Sequence, residues 1–275
     1  MECTWSASAR IDTVDEELLG EMGAAGCLGL FYGVESGSAR IQKLMGKRLK
    51  TERVLPVADW SIAANVTPTL SFIAGFPFET EEDLSQTLDM IQALLQRPFA
   101  NVQLHLMSPQ LGTSDIHIYK DRLRLDGYFS DIANNSAVLV EPEWFKTYPN
   151  LFPSFYYFET DGVSREVLKG IDQFVRLPCA AMQRTVRELV SSGRSLWQVY
   201  LAWRQWCDDE GRAEDIWSGS DEMILAFAEF APQAAERGFG RVDSARVRDE
   251  VLAFYLCHYH KLTVGTLAEG QAEVA

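Results

Sequence analysis

The sequence has little positive charge. Only 25 Lys and Arg residues stand against 39 Asp and Glu residues, which gives a formal net charge of -14 and a pI near 4.8. An acidic surface repels phosphate groups, so we expect neither a nucleic acid nor an anionic membrane as a partner. Hydrophobic residues nevertheless make up 47% of the chain, which predicts a sizeable folded core.

Cysteine is scarce and scattered. Cys3, Cys27, Cys179, Cys207 and Cys257 are odd in number and too widely spaced for a metal knuckle. This pattern argues against a disulfide framework and predicts a reducing, cytoplasmic location. Neither a signal-peptide pattern nor an apolar run of membrane-spanning length is found in the sequence. The histidines of the HYH stretch at 258–260 would not share a helix face, so no metal site is expected there.

What the sequence does contain is an alternation of strand-like and helix-like runs up to residue 109. Strands are predicted at 3–9, 27–34, 67–76 and 100–109, and helices at 13–26, 38–45, 51–66 and 80–96. Thr13, Ser38 and Thr80 are the predicted N-caps, and Asp83 completes a capping box after Thr80. Such alternation predicts parallel strands, arranged as half of a barrel or as one wing of an open sheet.

The character of the chain changes near residue 115, which predicts two domains, 1–114 and 115–275. The aromatic stretch at 144–162 is broken by prolines and is expected to be an ordered loop. Helical periods follow at 164–176, 178–192, 195–208, 220–237 and 243–261. The predicted fold class is therefore α/β, with a partial (β/α) barrel of parallel strands followed by a mostly α-helical C-terminal domain.

Polar residues and glycines follow the predicted strands. Ser8 and Arg10 end the first strand, Glu35-Ser36 the second, Gly75-Phe76-Pro77 the third and Met107-Ser108-Pro109 the fourth. Ligands bind at the carboxyl ends of parallel strands, and this edge suits a ligand with ammonium, carboxylate or ribose groups. The alternatives are structural: an Arg10–Glu35 ion pair, an ordinary turn at Gly75, and a core histidine at His105. Arg40 is expected in solvent.

The ordered motifs WSASARID, LFYGVESGSARIQKLMGK, LSFIAGFPFETEEDLSQTL and LMSPQLGT resemble the later half of a radical S-adenosylmethionine (SAM) enzyme core, over about residues 3–114. They are most similar to the branch that often carries a cobalamin-binding domain. The resemblance implies SAM-binding roles as follows: Ser8 and Arg10 near the methionyl part, Glu35 with Ser36 at the ribose or amino group, and Ile73, Gly75, Met107 and Pro109 around the adenine.

The first two strands of that family's barrel, with the cluster loop and a glycine-rich motif, have no counterpart in this sequence. Three thiolates of a CxxxCxxC loop hold the family's [4Fe–4S] cluster, and this sequence contains no such spacing. We therefore expect the C-terminal portion of such an enzyme, inactive alone, whose cluster and cobalamin are held by segments outside this sequence. The expected activity of the whole enzyme is methylation of a peptide or other natural product. The alternatives are a decayed gene product, a non-catalytic binding subunit that completes another chain, and an ordinary nucleotide-binding α/β domain.

Overall fold

The computed structural model describes residues 3–110, 112–126, 128–129, 137–138, 142–148, 155–214 and 221–257. Its strands are β1 (Trp5–Ala9), β2 (Cys27–Glu35), β3 (Thr67–Ala74), β4 (Asn101–Leu106), β5 (Leu123–Leu125), β6 (Tyr128–Phe129), β7 (Ala137–Val138) and β8 (Tyr156–Phe158). Its helices are α1 (Glu16–Ala24), α2 (Ala39–Leu44), α3 (Val54–Ala63), α4 (Glu81–Leu95), α5 (Ser114–Ile118), α6 (Pro142–Thr147), α7 (Arg165–Phe174), α8 (Gln183–Val190), α9 (Leu196–Asp209), α10 (Asp221–Gln233) and α11 (244–257).

The main sheet has four strands in the order β1-β2-β3-β4, and every neighbouring pair is parallel. Each predicted strand of the first 109 residues is present, so the α/β prediction with parallel strands is confirmed. The pairing continues past the end of β4, where the N–H of Met107 donates to the carbonyl of Ala74 at 2.7 Å. All four carboxyl ends therefore lie at one edge of the sheet.

One face of the sheet is apolar and packs on the helices between the strands. Leu30, Tyr32 and Val34 alternate along β2 and are fully buried, and Phe72 continues this layer on β3. Residues paired across parallel strands share a face, so the opposite face carries a row of Gly33, Ser71 and Gln103. The core thus lies on the helix side, and polar groups lie on the other.

Helix capping agrees with the sequence at two of three predicted positions. The Ser38 hydroxyl accepts from the N–H of Ile41, and Thr80 and Asp83 form the complete capping box of α4. The prediction of Thr13 as the N-cap of α1 is wrong, because Thr13 lies in a short 3-10 turn and Asp15 accepts from the N–H of Leu18. The helix begins two residues later than the capping-box spacing indicated.

The chain divides into two compact units, residues 1–176 with 195–197, and residues 177–194 with 198–275. The predicted boundary at residue 114 refers to a family domain and not to these compact units, so it stays a prediction. In the first unit the predicted loop at 144–162 holds α6 and β8, and β8 pairs with β5 in an antiparallel ribbon. In the second unit the described secondary structure is all helical.

The second unit has an aromatic core. Trp203 is fully buried and meets Phe227 edge to face, with ring centroids 5.7 Å apart. Trp203 of α9 therefore belongs to the core of this unit. The HYH stretch at 258–260 lies outside the described residues. Among the helices that are described, none is both long and apolar enough to cross a membrane.

Candidate functional site at the strand ends

The parallel strands bring the predicted site residues to one edge of the sheet. These residues lie in the last positions of the strands or directly after them: Ser8 and Arg10 at the end of β1, Glu35 and Ser36 at the end of β2, Ile73 and Gly75 at the end of β3, and Met107 and Pro109 after β4. Ile73 is paired with His105 of β4, and Glu35 with Phe72 of β3. The sequence-based grouping is therefore consistent with the register, while the ligand role of each residue stays a prediction.

Glu35 has an unusual main-chain conformation. Its φ is 69°, in the left-handed region that a glutamate adopts at a cost of roughly 1–2 kcal/mol. The pairing of β2 with β3 shifts by one residue between Gly33 and Glu35, so the strand bulges there. The bulge folds the Glu35 carboxylate back over Gly33, where a methyl group in place of the glycine hydrogen would lie 2.6 Å from Oε1. A larger residue at position 33 would therefore displace the carboxylate from this place.

The predicted alternative of an Arg10–Glu35 ion pair is wrong. The Glu35 carboxylate binds the Lys47 ammonium at 2.5 Å, and the Arg10 guanidinium makes two 2.9 Å hydrogen bonds to Asp12. The hydrogen bond from Arg10 lowers the pKa of Asp12, and the charge of Lys47 adds to this effect. Cations and carboxylates therefore alternate from Arg10 through Asp12 and Lys47 to Glu35.

The Ser36-Gly37-Ser38 turn packs against the N-terminal half of α4. The Ser36 hydroxyl is fully buried and lies 3.0 Å from that of Thr87, which also accepts from the N–H of Gly37 at 3.1 Å. A methyl group on Gly37 would lie 2.6 Å from the main-chain oxygen of Gln86. The Ser36 hydroxyl therefore serves the fold, and its carbonyl accepts from the side-chain amide of Gln42 at 2.7 Å.

Arg40 is about half exposed to solvent, as expected, but its guanidinium is also bound to the protein. Its guanidinium binds the buried carboxylate of Asp83 at 2.6 Å and the carbonyl of Phe78 at 2.5 Å. Asp83 also accepts from the Ser38 and Thr80 hydroxyls, each at 2.6 Å. Burial by itself raises the pKa of Asp83, but these hydrogen bonds outweigh it and lower the pKa to about 2. Asp83 thus ties the turn after β2 to the start of α4.

Glu79 plays the corresponding part at the end of β3. It is fully buried, and its Oε2 accepts from the N–H of Gly75 at 2.5 Å, where Gly75 has a φ of 94°. Burial raises the pKa of Glu79 to about 7, against the lowering effect of the Gly75 and Phe76 N–H groups. The carboxyl fixes the orientation of the Gly75 peptide, so Glu79 positions a predicted adenine contact from behind.

The loop between β3 and α4 is covered by a later part of the first unit. Arg122 donates to the carbonyl of Pro77 at 2.8 Å, and Gly162 donates to the carbonyl of Glu79 at 3.2 Å. Gly75 is close to α7, since a methyl group on it would lie 3.4 Å from a Leu168 methyl. Arg122, Gly162 and Leu168 therefore cover this edge of the sheet, although they lie in the separate domain predicted at 115–275.

Sequence reasoning missed the roles of Lys47, Glu79 and Asp83. Asp83 was predicted only as a capping residue, and no contact was predicted for Glu79. A signal was present at Glu79, because an acid directly after a Gly-x-Pro turn can reach back to the free N–H groups of that turn. Nothing in the sequence placed Lys47 beside Glu35.

The residues at this edge fit a ligand such as SAM. The Glu35 carboxylate is 22% exposed, and on the same side of the sheet Gln103 Oε1 is buried without a hydrogen-bond partner among the described residues. Ser108 Oγ and Glu79 Oε1 are likewise buried and lack a partner within that part of the chain. Such polar atoms require a water molecule or a ligand to satisfy them.

The cysteines do not fit an iron–sulfur cluster. Cys27, Cys179 and Cys207 are each buried, while Cys3 and Cys257 are exposed. Within the described ranges, no group of three or more His, Cys, Asp or Glu residues is arranged to hold a metal ion. A [4Fe–4S] cluster needs three or four thiolates together, so these side chains cannot hold one.

Residues 1–91 match the model of the Radical SAM superfamily. An uncharacterized methyltransferase of Pyrococcus horikoshii is 27% identical over 180 residues, which cover 65% of this chain and 35% of that protein. A tRNA-2-methylthio-N(6)-dimethylallyladenosine synthase of Thermotoga petrophila is 36% identical over 92 residues, or 33% of this chain and 20% of that protein. The chain thus spans about a third or less of the length of these relatives.

Two solved structures are similar at low identity. The radical SAM methyltransferase TsrM from Kitasatospora setae, with cobalamin and a [4Fe–4S] cluster bound, is 14% identical with a TM-score of 0.46, covering 78% of this chain and 44% of its own. The cobalamin-dependent SAM radical enzyme OxsB is 11% identical with a TM-score of 0.39, covering 93% and 46%. Both scores lie below 0.5, so neither likeness carries weight for fold or function.

Proposed function

Residues 1–91 belong to the Radical SAM superfamily, and from this premise we propose that the chain binds SAM at the carboxyl edge of its sheet as part of a methyl-transferring enzyme. The relatives named above include a methyltransferase and a methylthiotransferase-type synthase, which supports transfer of a one-carbon group. We propose a peptide or a small natural product as the substrate, because the net charge of -14 disfavours a nucleic acid.

The observation that carries the proposal is the presentation of Glu35. A left-handed glutamate at a strand bulge is strained, and strain of this kind concentrates at ligand-binding sites. The carboxylate is partly exposed, stands over a glycine and belongs to the edge where parallel sheets bind ligands. An ammonium or hydroxyl of the ligand can donate to it in a charge-assisted hydrogen bond.

In this proposal Arg10 pairs with the ligand carboxylate, and the main chain at Gly75 and Met107 contacts the adenine. Glu79 holds the Gly75 peptide in place, and Ile73 provides an apolar surface beside it. Cobalamin, when present in such enzymes, supplies a methyl carrier. The cysteines of this chain do not fit a cluster, so we propose that a partner polypeptide segment holds it and that the assembly works in the cytoplasm.

The test is SAM binding to the isolated chain, measured by calorimetry. We expect Glu35→Gln to weaken binding about 10-fold or more, because the hydrogen bonds of a charged group contribute roughly 1.5–3 kcal/mol. Its melting temperature should change little, since a partly exposed ion pair contributes at most about 1 kcal/mol. Glu16→Gln, which removes an exposed acid of α1, is the matched control. If Glu35→Gln binds SAM as tightly as the wild type does, with or without a lower melting temperature, the proposal is refuted.

The scattered cysteines favour a second candidate, a non-catalytic SAM-binding subunit. Anaerobic reconstitution of the chain with iron and sulfide should give no stoichiometric cluster absorbance under either candidate. The two differ when a cluster-bearing partner chain is added. Cleavage of SAM or methyl transfer that requires this chain and is lost in Glu35→Gln supports the enzyme. Activity of the partner chain that does not depend on Glu35 supports the non-catalytic subunit.

A further inference from the structure

Lys47 binds the Glu35 carboxylate, which is the group that the proposed ligand would use. It lies in the segment between α2 and α3, where Gly46 and Arg48 on either side both have left-handed main chains, with φ values of 75° and 55°. Its ammonium makes two 2.5 Å hydrogen bonds, to Oε1 of Glu35 and to the carbonyl of Gly33. The lysine side chain is 18% exposed, so it is held in the site and not spread over the surface.

The pair fills the space above Gly33. A methyl group on Gly33 would lie 3.1 Å from the Lys47 ammonium and 2.6 Å from the Glu35 carboxylate. The cation therefore lies directly against the sheet face at the end of β2, where a ligand bound at this edge would also rest. Lys47 and a ligand ammonium cannot both take this position.

The surrounding charges are balanced while Lys47 is in place. Arg10 and Lys47 carry two positive charges, and Asp12 and Glu35 carry two negative charges. Removing the ammonium from this set leaves one unneutralised carboxylate, which favours a replacement cation. A ligand ammonium has the same charge and the same hydrogen-bond donors as the lysine it would displace.

We propose that Lys47 is a specificity-determining residue that stands in for the ligand ammonium at Glu35, so that the site admits ligands able to replace that cation. The inference rests on the proposed function, because it assumes that SAM binds at this edge. Both side chains of the Lys47–Glu35 pair are partly exposed, at 18% and 22%, so solvent screens the attraction between them. Displacement by a ligand with further contacts is therefore feasible.

The test compares two ligands on three proteins by calorimetry. SAM carries the ammonium, and 5′-methylthioadenosine has the adenine and ribose but lacks both ammonium and carboxylate. We expect Lys47→Gln to tighten SAM binding about 3- to 10-fold by removing the competing cation, and to change 5′-methylthioadenosine binding by less than about twofold. Lys43→Gln, an exposed lysine of α2, is the matched control and should change neither.

A spectroscopic readout on Lys47 itself separates this role from a structural one. The side-chain ammonium of Lys47 should give a protected nitrogen signal by NMR that moves on addition of SAM but not of 5′-methylthioadenosine. Lys47→Arg should keep the pair and bind SAM as the wild type does. If the wild type binds SAM while Lys47→Gln binds it equally or more weakly, this inference fails and the proposed function stands. If no variant binds SAM, both are overturned.

Discussion

Replacing Asp83 by asparagine would remove the charge that joins the turn after β2 to the start of α4. The carboxylate accepts from Ser38, Arg40 and Thr80, and its side chain is only 4% exposed. Asparagine keeps the size but offers one acceptor oxygen and places an N–H₂ group among donors. The change therefore breaks the network without creating a cavity, and it leaves the half-exposed Arg40 guanidinium without its carboxylate partner.

The size of the expected loss of stability follows from the pKa of Asp83. Lowering the pKa of Asp83 from 3.8 to about 2 in the folded state corresponds to roughly 2 kcal/mol of stability. The direction is that of a depressed carboxyl pKa: the contribution is complete above about pH 4 and is lost as the pH falls toward 2. Asp83→Asn should therefore be about 2 kcal/mol less stable at pH 7 and should lose less stability on acidification.

Urea unfolding followed by circular dichroism, at pH values from 7 down to 2.5, measures both effects. Glu82→Gln is the matched control, because Glu82 is an exposed acid in the same first turn and contributes only about 0.3–1 kcal/mol through the helix dipole. A loss at pH 7 no larger than that of Glu82→Gln would refute the reasoning. So would an acid dependence identical to that of the wild type.

Two further changes test the same edge of the sheet. The pKa of Glu79 is raised from 4.5 to about 7 in the folded protein, so the free energy of unfolding should fall by roughly 3 kcal/mol as the pH rises from 4.5 to 7. Glu79→Gln should abolish that loss, which urea titrations across this pH range measure. Gly37→Ala should cost about 1–3 kcal/mol, because its methyl group would lie 2.8 Å from Cα of Thr87. Gly20→Ala, in the middle of α1, meets no atom within 4 Å and should stabilise by about 0.5–1 kcal/mol in the same urea titrations. Equal effects of the two alanines would contradict the packing argument.

Local features of the fold could be predicted because their causes lie close together in the chain. The capping box of α4 depends on two residues three positions apart, and both bonds form as predicted. The four strands depend on runs of apolar residues, and all four pair in parallel. The superfamily resemblance rests on such local motifs, and residues 1–91 bear it out.

Partners that lie far apart in sequence could not be predicted in the same way. Arg40 meets Asp83 across 43 positions, and the pairing depends on how the turn after β2 reaches the start of α4. Arg10 and Glu35 have opposite charges at the same edge, yet each has a partner supplied by its own neighbouring loop. Opposite charge at one edge is a necessary condition for a pair, but the bulge at Glu35 decides where its carboxylate points.

The edge of the sheet combines fixed and exchangeable contacts. Asp83 and Thr87 of α4 fix the turn after β2, and Glu79 fixes the end of β3, all through buried hydrogen bonds. Breaking buried polar contacts costs more than breaking exposed ones, so these groups keep the strand ends in place. The Glu35–Lys47 pair in front of them is partly exposed and held by a loop with two left-handed residues. The part of the site that can give way to a ligand is therefore this ion pair, while the strand ends that present it stay rigid.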